Sequence, residues 1–136
     1  MTSVRAGGCA CGQVRYELRS DPSDVGYCHC RICQRTTGAP VVVWATVPLA
    51  SFVVTDGEHV LRTYPSTPFG WRQFCCLCGT QIAMQVSHEP ETVDVTVASV
   101  DEPAALSPTN HIHDASRIPW FALADDLPRH PGKRGA

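Results

Sequence analysis

Three sulfurs fall within six residues in Cys28-His29-Cys30-Arg31-Ile32-Cys33. Three soft ligands so close in sequence can reach one metal ion. Zinc held by thiolates prefers four ligands in a tetrahedron, at about 2.3 Å each. Three protein sulfurs leave one corner for an outside ligand, the usual mark of a catalytic zinc; a closed set of four marks a structural one. Three thiolates on a divalent ion also leave net negative charge, which lowers Lewis acidity and argues against activating a water. A sulfur-rich zinc suits a soft fourth ligand, such as a substrate thiol bound as thiolate. Cys28, Cys30 and Cys33 therefore point to thiol chemistry before hydrolysis.

A second set reads as a closed site. Cys9-x-Cys11 and Cys75-x-x-Cys78 are each followed by glycine, Gly12 and Gly79. A glycine after a ligand lets the backbone turn tightly and aim amides at sulfur. Two such knuckles predict a four-sulfur structural zinc that joins separate parts of the chain. Cys76 offers another register, Cys76-x-Cys78; the wider spacing favours Cys75 and leaves Cys76 a spare thiol.

Other polar residues near these motifs are candidates of a second rank. His29 lies between two ligands, so its side chain points away from the metal, as a supporting partner or an exposed residue. His111 and His113 are alternative fourth ligands or acid/base groups, and alternation puts both on one face if the segment is extended. Arg31, Arg35 and Arg117 suit substrate carboxylates, or else are plain surface residues. Trp44, Trp71, Trp120 and Phe121 read most simply as core.

The elements that must position these groups are short strands. Val14, Tyr16 and Leu18 alternate with Arg15 and Glu17, the period of a half-buried strand. Val41–Val47 reads as a strand buried on both faces. Further strands are expected at 52–55, 60–64, 71–74, 81–85 and 92–98, with 71–74 and 81–85 forming a hairpin. Residues 31–37 suit one or two helical turns ended by Gly38 and Pro40, and 102–106 a single turn. From 107 onward the chain reads as loop with anchoring aromatics. The pattern predicts an all-β fold.

The chain has 136 residues, enough for one domain (1–136, core about 7–128), and a net charge of −2 without charge runs. Nucleic acid, which wants a basic stripe, is not expected as a partner. No apolar run approaches the roughly 18 residues of a membrane span, so no membrane partner is expected. Met1 to Gly8 has no apolar stretch of a signal peptide, so a cytoplasmic protein is expected. Thiols stay reduced there, and eight cysteines read as metal ligands before disulfides.

The motifs G-x-C-x-C-G-x-V-x-Y at Gly7 to Tyr16, C-H-C-x-x-C-Q-R at Cys28 to Arg35 and F-C-x-x-C-G at Phe74 to Gly79 resemble the glutathione-dependent formaldehyde-activating enzyme family, which includes centromere protein V. Asn110-His111-Ile112, Ser116-Arg117 and Pro119-Trp120-Phe121 are similar to that family's C-terminal pattern. The resemblance implies a β-tent fold of packed antiparallel sheets held by zinc–cysteine knuckles. It implies two zinc ions per chain: a structural one at Cys9, Cys11, Cys75 and Cys78, and a catalytic one at Cys28, Cys30 and Cys33. It implies condensation of glutathione with formaldehyde to S-(hydroxymethyl)glutathione, a carbon–sulfur lyase run in reverse. For such a reaction His111 or a water is the expected carrier of the proton. The rivals are a non-catalytic module stapled by zinc that binds a protein partner, and a metal-free redox or persulfide sensor at Cys28, Cys30 and Cys33. The oligomeric state is not legible.

Overall fold

A computed structural model describes residues 4–135. The chain runs β1 (Arg5–Gly8), β2 (Arg15–Leu18), β3 (Asp24–Cys28), α1 (Arg31–Thr37), β4 (Val42–Pro48), β5 (Phe52–Asp56), β6 (Leu61–Thr67), β7 (Gly70–Cys75), β8 (Gln81–Val86), β9 (Thr92–Thr96) and β10 (Asn110–Ile112). Strands β1, β2 and β5 form a three-stranded antiparallel sheet. The rest form a seven-stranded sheet in the order β10-β3-β4-β9-β8-β7-β6. All its pairings are antiparallel except β10 with β3, which is parallel.

This corrects the all-β, β-tent expectation. The fold is mixed α/β. Among the described residues it has one true helix, a parallel edge, and two open sheets whose outer strands do not pair with each other. The helix follows from local chemistry. Cys30 caps its N-terminus with its sulfur, which accepts from the Cys33 amide at 3.3 Å. Gly38 ends it in the left-handed conformation, with its amide on the Gln34 carbonyl. The three-residue spacing from Cys30 to Cys33 is one helical turn, which brings the two sulfurs to the same side.

The parallel edge is held by side chains that strand periodicity does not reveal. Asn110 Nδ2 donates to Asp24 Oδ1 at 2.9 Å, and the Thr109 amide to the Val25 carbonyl at 2.8 Å. Asn110 lies against Gly26, where an added Cβ would come within 3.2 Å of its side chain.

Strand β4 is buried on both faces, as its valine-rich run predicts. Ala45 and Val47 join Val14, Tyr16 and Leu18, with Ile82, Val93 and Val95, in the main core. Burying each such large apolar side chain contributes roughly 1.5–3 kcal/mol. On the opposite face Val42 and Trp44 pack with Cys28 and Cys33 in a separate, smaller cluster. The sheet thus has a plain hydrophobic core on one side and a sulfur-containing one on the other. Trp120, expected in the core, is 74% exposed. No helix among the described residues is long and apolar enough to cross a membrane.

Candidate metal centres

The two turns that carry the glycine-ended motifs meet. The β1–β2 turn brings Cys9 and Cys11, the β7–β8 turn brings Cys75 and Cys78, and all four sulfurs lie within 4.8 Å of one another. Cys9 and Cys11 are 3.5 Å apart, Cys11 and Cys75 3.8 Å. Tetrahedral zinc at its usual bond length demands roughly 3.8 Å between sulfurs. None of the eight cysteines is in a disulfide. The donor set and spacing fit zinc. Gly12 and Gly79 have φ of 82° and 81°, the tight turn their position predicts. The Val14 amide donates to the Cys9 sulfur at 3.2 Å, and the Ala10 amide to the Thr80 hydroxyl at 3.0 Å, tying one turn to the other. Cys78 is held down to about 5 by the Thr80 hydroxyl and amide. Cys76 is exposed and stands outside the set.

Cys28 at the end of β3, Cys30 at the cap and Cys33 in α1 form the second sulfur group. Cys28 and Cys33 are 3.5 Å apart and buried, while Cys30 is partly exposed. Among the described residues no other cysteine, histidine or carboxylate joins this trio. This group, too, fits a thiolate-bound metal: three mutually close sulfurs with polar support. Without one, the sulfurs compete for protons. Cys30 is pulled down to about 2, first by the Cys28 thiol and then by Cys33; Cys28 is pushed up by Cys30, Cys33 and burial. The Trp44 indole N–H donates to the Cys33 sulfur at 3.4 Å. Both terminal nitrogens of Arg72, on β7, lie 3.5 Å from that sulfur.

A third polar group lies behind β3. The rings of Tyr27 and His29 both stack on His111, at 4.6 and 5.1 Å between centroids. Alternation along β3 puts Tyr27 and His29 on one face and Cys28 on the other. His29 therefore does turn away from the sulfurs, and His111 goes with it. Both rings are fully buried. His29 Nε2 lies 2.8 Å from His111 Nδ1, and His111 Nε2 lies 3.0 Å from Asp125 Oδ2. The network assigns the tautomers. A carboxylate only accepts, so His111 donates from Nε2 and accepts at Nδ1 from His29 Nε2–H. His29 Nδ1 is left as a buried lone pair without a partner. Burial, and then His111, push the His29 pKa down. Arg129 reaches both Asp114, at 3.1 Å, and Asp125, at 3.5 Å.

The remaining candidates are dispersed. Arg31 and Arg35 lie four residues apart on α1, both exposed, with Arg31 donating to Gln34. Arg117 donates to the Phe121 carbonyl at 3.0 Å. His113 does not share an extended face with His111, because β10 stops at Ile112 and His113 turns left-handed at φ 52°. A groove of about 660 Å³ runs beside Cys9, Thr36, Thr37 and Val42, but none of the Cys28 trio lines it. Sequence reasoning missed Arg72, Asp114, Asp125 and Arg129.

A family model described as glutathione-dependent formaldehyde-activating enzyme matches residues 4–116. The chain belongs to that family. A Halomonas elongata protein, provisionally named as a glutathione-dependent formaldehyde-activating enzyme, is 25% identical over 124 residues, 86% of this chain and 79% of its own. A crystal structure of a Rhodobacter sphaeroides protein is similar with a TM-score of 0.56 and 27% identity, covering 71% of this chain and 87% of that one. The matched stretch of this glutathione-dependent formaldehyde-activating enzyme family member holds all eight cysteines, His29, Arg72 and His111. Asp125 and Arg129, which hold His111 and its neighbours, lie beyond it.

Proposed function

We propose that this protein is a zinc-dependent carbon–sulfur lyase acting on adducts of a thiol and a small aldehyde, as in S-(hydroxymethyl)glutathione formation from glutathione and formaldehyde. The observation that carries this reading is the Cys28–Cys30–Cys33 group, with three converging sulfurs and no fourth ligand among the described residues. Cys28, Cys30 and Cys33 would hold zinc, which would keep a bound thiol deprotonated at neutral pH.

The chain's own residues do the rest. Cys28 and Cys33 form the buried base of the site, and partly exposed Cys30 marks the side from which a thiol enters. Arg31 and Arg35 on the open side of α1, and Arg117, are the groups offered to the carboxylates of a peptide thiol. His111, expected as a proton carrier, has both ring nitrogens engaged on the other face of β3 and leaves that task to water. Condensation forms one S–C bond. The C=O electron pair moves to oxygen, and the proton lost by the thiol ends there. No oxidant or reductant is needed. The reading sets the protein in the cytoplasm, in keeping with eight unbridged cysteines.

The test is calorimetric titration of zinc-loaded protein with glutathione, alongside Cys30→Ser. Binding heat in the parent and none in the variant is expected. Equal heats would remove the metal–thiol step and favour a non-catalytic module.

A further inference from the structure

We infer that Arg72 is the counter-ion of the Cys28–Cys30–Cys33 centre and makes that centre select an anionic fourth ligand; this rests on the metal-binding reading above. Arg72 is only 3% exposed. A guanidinium keeps its charge in any protein environment. Burying such a charge is unfavourable unless an anion meets it. Every other arginine reaches a carboxylate, donates to backbone carbonyls or faces solvent. Among the described residues Arg72 pairs with no carboxylate.

What it meets instead is sulfur. Nη1 and Nη2 are both 3.5 Å from Cys33 Sγ, a forked approach to one atom. Nε donates to Ser66 Oγ at 3.2 Å, and the guanidinium lies 5.8 Å from the centre of the Trp44 ring. Trp44 donates to the same sulfur. Cys33 thus has donors prepared for a thiolate, and among the described residues the only charged one is Arg72.

The charges then balance in a particular way. Three thiolates and a divalent ion sum to −1, and Arg72 brings the buried group to neutrality. An incoming thiolate meets a neutral site in place of a negative one. A neutral ligand gains nothing comparable. Arg72 is therefore a specificity-determining residue that acts through Cys33, without touching the substrate.

The test uses cobalt-loaded protein, titrated with 2-mercaptoethanol as the anionic probe and imidazole as the neutral one, followed by the visible cobalt bands. Arg72→Met is expected to weaken 2-mercaptoethanol binding by about tenfold or more, and imidazole binding by less than about twofold. Arg72→Lys, which keeps the charge, restores most of the thiol affinity. Arg72→Gln keeps a donor without charge and replaces the Met variant if that one does not fold. Equal losses for both probes, no loss at all, or a Lys variant as weak as Met would each overturn the inference. If the parent protein shows no cobalt bands that depend on Cys30, the metal reading itself falls and takes this inference with it. Bands that depend on Cys30 but not on Arg72 sink the inference alone.

Discussion

His29 and His111 share a fully buried hydrogen bond, Nε2 to Nδ1, at 2.8 Å. The pair joins β3 to β10 on the face of the sheet opposite Cys28 and ends on Asp125. It fastens the C-terminal segment to the strand that carries the first sulfur of the trio, without entering the sulfur group.

Replacing His111 by Ala strips partners from two groups at once. His29 Nε2–H would be buried unbonded, and the Asp125 carboxylate would lose its donor. An unsatisfied buried donor costs about 1–3 kcal/mol, and the cavity adds to it. A loss of roughly 2–4 kcal/mol in urea unfolding is expected. Asp125→Ala should cost less, since its side chain is 25% exposed. Zinc content per chain should stay unchanged in both. Loss of metal in His111→Ala would mean that the two faces of β3 form one site.

Asp94, paired with Thr46 and Met84 across the sheet, predicts a pH dependence of its own. Burial pushes its pKa up to about 6, against a hydrogen bond from Thr46 at 2.5 Å. The folded value lies above the ordinary 3.8, so the native state holds the proton more tightly than the unfolded chain. Its contribution to stability is fully present below pH 3.8 and is lost as pH rises through about 6. Asp94→Asn keeps an acceptor for Thr46 and removes the charge. It should stabilise the protein by about 1–3 kcal/mol at pH 8 and by little at pH 4. Unfolding curves at the two pH values check this.

Gly79 offers a simpler test of the knuckle. An added Cβ meets nothing within 4 Å, so only its φ of 81° opposes substitution. Gly79→Ala should lower stability by about 1–2 kcal/mol. Gly79→Asn, which tolerates the left-handed region, should lose less. Thermal melts of the zinc-loaded variants decide it.

What was legible in the sequence was local. The valine run of β4 reads as a strand buried on both faces because its β-branched residues continue without alternation over a strand's length. C-x-x-C-G reads as a knuckle because the glycine has one conformational use. His29 between two cysteines reads as turned away because alternation forces it. What was not legible depends on partners far along the chain. Strand β10 is three residues long, with no period to detect, and exists because Asn110 fits over Gly26 and binds Asp24. Arg72 looks like any charged strand residue until Cys33, 39 positions away, appears beside it. The weight of strand signals also hid the significance of seven helical residues. They are few, yet they carry Cys33 and set the fold class.

The two sulfur groups should respond differently to loss of one ligand. Cys75 is fully buried at the end of β7, and its group ties the β7–β8 turn to the β1–β2 turn more than sixty residues earlier. Structural zinc supplies about 10–16 kcal/mol in small peptides, comparable with the roughly 5–15 kcal/mol net stability of a whole domain. Cys75→Ser, or removal of zinc from this group by a strong chelator, should therefore unfold the protein. Cys30 differs. It is partly exposed, and its structural task is to cap α1. Serine caps a helix as well as cysteine does or better, so Cys30→Ser should keep the helix and the sheet. Far-UV circular dichroism should match the parent, while zinc per chain drops by one. An unfolded Cys30→Ser protein would make the second metal a folding staple like the first, because a catalytic ion leaves the fold standing when it goes.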